Sequence, residues 1–309
     1  MTPQYFVQET RYRIIRELAS GGMGTVYEAQ QLGADGFSKR VALKVLHPWL
    51  SESSEFSQMF VGEARLVANL IHPNIVQIYQ LGRADFGAYI AMELIEGMSL
   101  RHFLDLHAGK TVPVELATFI VSRLARALEY AHERTDEQGQ PLGLVHRDVS
   151  PNNILISGEG EVKLADFGVA KAAHYLESKE GEQVYGRVEY MAPEQASCQV
   201  TDGRSDLFSL GVVYYELLTG RNPFLVEGES LSETLTRLLS TRLSSPPGLT
   251  PMLAATLDRC LAPDPNERLE SAGKLGYELE YAIYHKGYGP TIQTLARYMR
   301  RLEPLTRSA

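Results

Sequence analysis

The stretch SDLFSLGVVYYELLT, Ser205–Thr219, is apolar on nearly all sides and runs into Gly220. A helix without a polar face cannot lie on a surface, so this one must cross the middle of a helical body and stop at a glycine C-cap. Around it Val114–Arg134, Leu231–Leu239, Pro251–Leu261 and Ser271–Tyr284 carry helical apolar spacing. The second part of the chain is therefore a helical domain with its own core.

The first part reads differently. Arg11–Leu18, Thr25–Gln31, Arg40–Leu46, Ile75–Leu81 and Ala88–Leu94 read as short strands. One helix is expected among them, around Glu55–Leu70, with Phe56, Met59, Phe60, Leu66, Val67 and Leu70 on its apolar stripe. At 309 residues the chain exceeds the usual size of one core. The expectation is an α+β chain with a β-rich N-lobe over 1–95, a mainly helical C-lobe over 96–285 and a helical tail over 286–309. The hinge should fall near Glu93–Gly97. In the tail, Ile292, Leu295, Met299 and Leu302 recur at helical spacing after Pro290, beside Arg297, Arg300 and Arg301. A helix packed on the body fits this pattern; a docking helix for a partner or an acidic membrane surface is the alternative.

Composition removes several functions. A formal charge of −8 argues against a nucleic-acid partner, which calls for a basic field. Cys198 and Cys260 make neither a disulfide framework nor a metal cluster. The start MTPQYFVQETRYR lacks a signal-peptide core, and no apolar run nears the ~18–20 residues of a membrane span. A cytoplasmic location is expected.

The chemistry lies in four places. ASGGMGTVYEA, Ala19–Ala29, sets glycines between two strand patterns rather than before a helix, which makes a flap whose N–H groups can close over phosphates. Such turns are commonly only structural. In VALK, alternation puts Ala42 and Lys44 opposite Val41 and Leu43. A strand lysine is ordinarily solvated, but Glu63 falls within the apolar stripe of the expected helix, and an inward carboxylate requires a cation. Lys44 is the nearest by topology. In HRDVSPNN, His146–Asn153, Asp148 can take or orient the proton of an attacking hydroxyl. In the following NILISGEGEVKLADFG, a hairpin of Ile154–Ile156 and Val162–Leu164 folds Asn153 back beside Asp166. An amide oxygen and a carboxylate together suit Mg²⁺.

With GGMGTVYEA, VALK, Glu63, HPNIV (His72–Val76), HRD, DFG, YMAPEQ (Tyr190–Gln195), SDLFSLG and Arg268 in order, the chain resembles a eukaryotic-type protein kinase, and more narrowly the bacterial Ser/Thr kinase group, from about Tyr12 to about Leu275. The resemblance implies a bilobal kinase fold and transfer of the ATP γ-phosphoryl group to protein Ser/Thr hydroxyls, with autophosphorylation. It implies Mg²⁺ as cofactor, with Mn²⁺ as substitute. Its partners would be ATP, protein substrates and a second copy or a regulatory protein. Lys44 would hold the α/β-phosphates and pair with Glu63; Asp148 would be the base; Asn153 and Asp166 would bind the metal. Gly21, Gly22 and Gly24 would cover the phosphates. Leu18, Val26, Ala42 and Leu155 would enclose the adenine, with Met92 as gatekeeper and Glu93 and Ile95 giving hinge hydrogen bonds. Glu194 would pair with Arg268, while Val67, Ile78, His146 and Phe167 would form an apolar spine.

Three positions depart from the family. Ala19 replaces the first flap glycine and should stiffen it slightly. Ser150 stands where Ser/Thr kinases carry a Lys, and losing such a charge costs about 3–4 kcal/mol of barrier. Arg187, seven residues before Glu194, stands where they carry a Thr. The two positions are read as having exchanged roles, with Arg187 supplying the charge and Ser150 the hydroxyl. The opposing reading is two independent losses, which points to a nucleotide-binding pseudokinase acting as a scaffold or regulator. The segment Asp166–Glu194 contains no Thr, and its hydroxyls are Tyr175, Ser178, Tyr185 and Tyr190. Glu177, Glu180 and Glu182 around Ser178 can satisfy Arg147 without phosphorylation, so a weak dependence on that modification is expected.

Overall fold

The computed structural model describes residues 10–22, 24–47, 67–84, 87–107, 109–167, 187–226 and 228–302. The chain divides into two compact units, Met1–Asn69 with Gln77–Leu94, and Leu70–Val76 with Ile95–Ala309. Glu63, most of the helix expected around Glu55–Leu70, and Tyr175, Glu177, Ser178, Glu180, Glu182 and Tyr185 of the segment Asp166–Glu194 lie outside the described residues.

The first unit holds an antiparallel sheet of β1 (Arg11–Gly21), β2 (Gly24–Leu32), β3 (Ser38–Leu46), β4 (Ile78–Ala84) and β5 (Gly87–Met92), ordered β1-β2-β3-β5-β4. The β2–β3 register runs unbroken from Gly24 opposite Leu46 to Leu32 opposite Ser38. With side chains alternating across the sheet, Ala29, Val41, Leu43, Tyr89 and Ala91 form the buried cluster, and Tyr12 and Val45 pack against it. Ala42 and Lys44 therefore belong to the opposite face, as the alternation of VALK requires.

One expected strand is displaced. β4 begins at Ile78, not Ile75. Ile75 and Val76 instead join the second unit, where Ile75 bridges Leu164 and the Val76 N–H donates to the Leu164 carbonyl at 2.9 Å. An apolar pair reports burial but does not say in which body.

The second unit contains a small sheet of β6 (Gly97–Ser99), β7 (Ile154–Ser157) and β8 (Val162–Leu164). Its helices are α1 (Leu100–Leu106), α2 (Val114–His132), the single turn α3 (Pro193–Ala196), α4 (Gly203–Thr219), α5 (Leu231–Ser240), α6 (Pro251–Cys260), α7 (Ala272–Tyr284) and α8 (Ile292–Leu302). β6 and α1 are additions to the sequence reading. α4 is the expected central helix, buried continuously from Ser205 to Tyr214. Asp202 caps its start by accepting from the Arg204 N–H, and Gly220 ends it at φ 77°. A Cβ at Gly220 would also lie 2.1 Å from the Gly109 carbonyl oxygen, so space as well as backbone conformation demands glycine. In α8, Leu295, Ala296 and Met299 are buried while Arg297, Arg300 and Arg301 are exposed, so the tail helix packs on the body. Among the described residues no helix is long and apolar enough to cross a membrane.

α3 is tied down by Glu194. Arg268 grips both its carboxylate oxygens at 2.7 Å and gives its other N–H groups to the carbonyls of Ala262, Pro263 and Arg204. The Ser205 hydroxyl adds a 2.6 Å bond to Glu194. Every guanidinium N–H of Arg268 is used, in a site where its side chain is 0% exposed. Arg268→Ala would leave a buried carboxylate without its cation and should lower the unfolding free energy by about 3–5 kcal/mol, read from urea unfolding midpoints.

Candidate active site

In the first unit, the register places Val26 opposite Lys44 and Ala42 opposite Met92. Val26, Ala42, Lys44 and Met92 thus share the face away from the apolar cluster, and Lys44 is 7% exposed. Leu18 falls in the β1 register shift between Glu17 and Ala19. Gly21 and Gly22 are exposed at the flap. Gly24 is buried, and a Cβ there would lie 2.1 Å from the Val45 carbonyl oxygen. Its glycine is required by sheet packing as well as by any phosphate contact. The Glu93 N–H donates to the Gln77 carbonyl at 2.8 Å, and its carboxylate accepts the Gln77 N–H at 3.2 Å. Val67, 5% exposed, and Ile78 also belong to this unit.

The second unit carries Ile95, the HRDVSPNN loop His146–Asn153 (the catalytic loop of the family resemblance) and the DFG aspartate, Asp166. Its β7–β8 hairpin pairs Ile154 with Leu164 and Leu155 with Lys163, and closes with the Ala165 N–H on the Asn153 carbonyl at 2.8 Å. This fold brings the backbone of Asn153 beside the Ala165–Asp166 turn. Both side-chain N–H groups of Asn153 are given to Asp148, at 2.9 Å to its carbonyl and 2.7 Å to Oδ2. Asn153 Oδ1 is left without a hydrogen bond among the described residues. His146 donates from Nε2 to the Ala165 carbonyl at 2.9 Å, so its Nδ1 accepts the Asp148 N–H at 3.2 Å. The His146 and Phe167 rings meet edge to face, with centroids 4.5 Å apart.

Arg147 and Asp166 both hold left-handed backbone, at φ 65° and 58°. For a residue with a Cβ this costs roughly 1–2 kcal/mol, so something must hold the loop. Asp206, in the first turn of α4, does so. Its Oδ2 accepts the His146 N–H and its Oδ1 the Arg147 N–H, each at 2.8 Å. His132 Nε2 adds a third bond at 2.8 Å. SDLFSLG is legible as a motif in the sequence, but the role of its aspartate is not. The available signal was a carboxylate within an otherwise apolar buried helix, which needs several donors to exist there.

The electrostatics follow. Burial pushes the Asp148 pKa up, partly opposed by the neighbouring His146 ring, the Asn153 hydrogen bond and the charge of Arg187. Asp206 is fully enclosed, which alone would raise its pKa, yet His132, His146 and its hydrogen bonds hold it below the ordinary aspartate value.

The two family departures meet in space. Arg187 Nη1 donates to the Ser150 hydroxyl at 3.1 Å, and Ser150 is fully buried. Arg147 gives its Nε to Thr201 Oγ1 at 3.1 Å, while the acidic partners expected for it, Glu177, Glu180 and Glu182, lie outside the described residues.

The donor set fits a divalent ion of the Mg²⁺ type. Asn153 Oδ1 is fixed in orientation because its amide is clamped on Asp148, and Asp166 would add a hard carboxylate were it to share the ion. Among the described residues there is no group of three or more His, Cys, Asp or Glu able to form an all-protein cage. A few oxygen donors, completed by water and phosphate, are what Mg²⁺ takes.

Because the Asp206 pKa is depressed on folding, its stabilisation is fully present above the ordinary aspartate range, near pH 4, and is lost as pH falls through the lower folded value. Asp206→Asn should cost about 1.5–3 kcal/mol at neutral pH. It should also remove part of the acid limb of stability measured by urea unfolding across pH.

Comparison with known proteins agrees with this geometry. The family model described as protein kinase domain matches residues 12–276. The tyrosine-protein kinase MasK of Myxococcus xanthus is 42% identical over 295 residues, covering 94% of this chain and 45% of MasK. The serine/threonine-protein kinase PrkC of Bacillus subtilis is 35% identical over 277 residues, covering 88% and 40%. The crystal structure of the Mycobacterium tuberculosis PknI kinase domain superposes with a TM-score of 0.63 at 28% identity, covering 87% of this chain and 94% of that domain. The chain thus spans somewhat less than half the length of MasK and PrkC. With the catalytic loop, the DFG hairpin and the Glu194–Arg268 bridge all inside the matched span, this chain belongs to the protein kinase domain family.

Proposed function

We propose that this chain transfers the γ-phosphoryl group of ATP to Ser or Thr hydroxyls of protein substrates, its own chain included. The observation that carries the reading is the clamp of Asn153 on Asp148, which aims an amide oxygen for a metal and leaves Asp148 Oδ1 for a substrate proton. In the reaction the hydroxyl oxygen bonds to the γ-phosphorus as the bond to the β,γ-bridging oxygen breaks. ADP leaves with that electron pair, and the hydroxyl proton passes to Asp148. Mg²⁺, held by Asn153 Oδ1 and Asp166, supplies charge neutralisation on the phosphates when bound, and Mn²⁺ can replace it. Lys44, paired with Glu63, would hold the α/β-phosphates, under a flap of Gly21, Gly22 and Gly24. Leu18, Val26, Ala42, Met92 and Leu155 would enclose the adenine, with Glu93 and Ile95 bonding its edge.

Arg187 and Ser150 act in this reading as an exchanged pair. The guanidinium takes the place of the absent lysine near the γ-phosphoryl group, and Ser150 orients it. Their 3.1 Å contact supports the exchange over two unrelated losses. A pseudokinase scaffold is the competing class. A second substrate reading is tyrosine: MasK, 42% identical, is named a tyrosine kinase, and Ser150 and Arg187 alter the two positions that usually mark a Ser/Thr enzyme.

With γ-labelled ATP and a generic basic protein, Asp148→Asn should lower transfer by roughly 10²–10⁴-fold. Equal background labelling by wild type and variant would favour the scaffold. Phosphoamino-acid analysis of the product separates Ser/Thr from Tyr. Arg187→Ala should slow transfer by roughly 10²–10³-fold. Ser150→Lys should recover much of that loss in the double mutant while adding little to wild type. An Arg187→Ala enzyme as fast as wild type would end the exchange idea.

A further inference from the structure

Helix α8 lies wholly beyond the residues 12–276 matched by the kinase-domain model, yet its apolar side is built into the second unit. Leu295, Ala296 and Met299 are 0%, 1% and 4% exposed. It touches the unit at two places that lead to the metal residues.

The first is the tip of the β7–β8 hairpin. Gly160, at φ +85°, sits so close to α8 that a Cβ there would lie 2.0 Å from the Ile292 carbonyl oxygen and 2.8 Å from the Ala296 nitrogen. The tip is a closed turn, with Ser157 and Glu161 exchanging hydrogen bonds and the Gly158 N–H on the Glu96 carbonyl at 2.8 Å. At ~3.3 Å per residue, strands this short put the tip only about 13 Å from the base. The base is Asn153 on one side and Asp166 on the other.

The second contact runs through α1. Tyr298 stacks on His107 and the two are hydrogen-bonded at 2.9 Å. Since His107 Nδ1 meets the Phe103 carbonyl at 2.7 Å, that nitrogen is the donor, and in the neutral ring Nε2 accepts from the Tyr298 hydroxyl. At its other end α1 holds the catalytic loop: the Arg101 N–H donates to the Pro151 carbonyl at 2.9 Å. Arg101 also binds Glu216 at 2.8 Å, and Glu216 accepts the Tyr190 hydroxyl. A helix outside the family domain thus rests on both structures that carry the Asp148–Asn153 clamp.

We propose that α8 is a positioning element of the metal site, with Tyr298 and Gly160 as the residues through which it sets the β7–β8 hairpin and hence Asn153 and Asp166. The proposal rests on the reading of those two residues as metal ligands. A rigid glycine contact and a tyrosine–histidine bond limit how far the hairpin can tilt, and a metal site built from few protein ligands depends strongly on the groups that orient them.

The test uses the whole chain, with Mn²⁺ and ADP as probes in isothermal titration calorimetry and hydrogen exchange on the hairpin amides. Tyr298→Ala and Gly160→Ala should weaken Mn²⁺-dependent ADP binding roughly ten-fold, the lower end for residues that orient metal ligands. ADP affinity without metal should stay as in wild type, and exchange should speed up in 153–166. Tyr298→Phe keeps the ring stack and should fall between wild type and Tyr298→Ala, which guards against an alanine variant that merely folds poorly. Equal loss of ADP affinity with and without Mn²⁺ would mark a general structural role and overturn the proposal, as would wild-type Mn²⁺ dependence in all three variants. Asp166→Ala is the control for the underlying reading. If it leaves Mn²⁺ dependence intact, the metal assignment fails and this inference falls with it.

Discussion

Arg147 is held in a left-handed backbone conformation, and a loop so strained needs a fixed counterweight. The Asp206 carboxylate provides it, accepting the N–H groups of His146 and Arg147 and a ring N–H of His132. Charge-assisted bonds of this kind are the strong ones, and in an enclosed site they are not diluted by water. Because Asp206 belongs to the first turn of α4, the geometry of the loop is referred to a helix buried continuously from Ser205 to Tyr214. From there it passes to Asp148 and, through the amide of Asn153, to the hairpin that carries Asp166.

The same logic explains the other buried charges. Arg268 and Glu194 would be costly alone, but each donor of the guanidinium has an acceptor, so the pair fastens α3 to the body without an orphaned group. Lys44 is placed by simpler means. Strand alternation and an unbroken β2–β3 register turn it away from the apolar cluster of its sheet. Ser150 and Arg187, which look like two defects when read separately, share a hydrogen bond. A contact between two unusual residues is more economically read as one altered arrangement than as two accidents.

Much of the fold was legible because it followed from local periodicity. The central helix, the long helix Val114–His132, the tail helix and the flap hairpin each announced themselves through apolar spacing and glycine placement. Ile75–Val76 misled for a physical reason: two adjacent apolar residues fit a strand in either body, and a backbone bond to Leu164 decided the matter. β6 and α1 passed unnoticed because each is short, and neither offers enough turns or alternations to form a pattern. Spacing marks Asp148, Asn153 and Asp166 as candidates, whereas nothing local marks the role of Asp206, since its three donors come from positions 59 to 74 residues away.

The amino-acid order alone determined which residues carry charge, oxygen donors and apolar stripes, and therefore the identity of the elements and of the chemistry. Such properties depend on neighbours a few residues apart, where chain geometry is nearly invariant. Only the tertiary structure decided which of those groups touch: Arg187 with Ser150, Asp206 with the catalytic loop, Tyr298 with His107 and Gly160 with the last helix. These pairings are settled by how side-chain volumes and buried polar groups are satisfied together, and no local window of sequence contains that information.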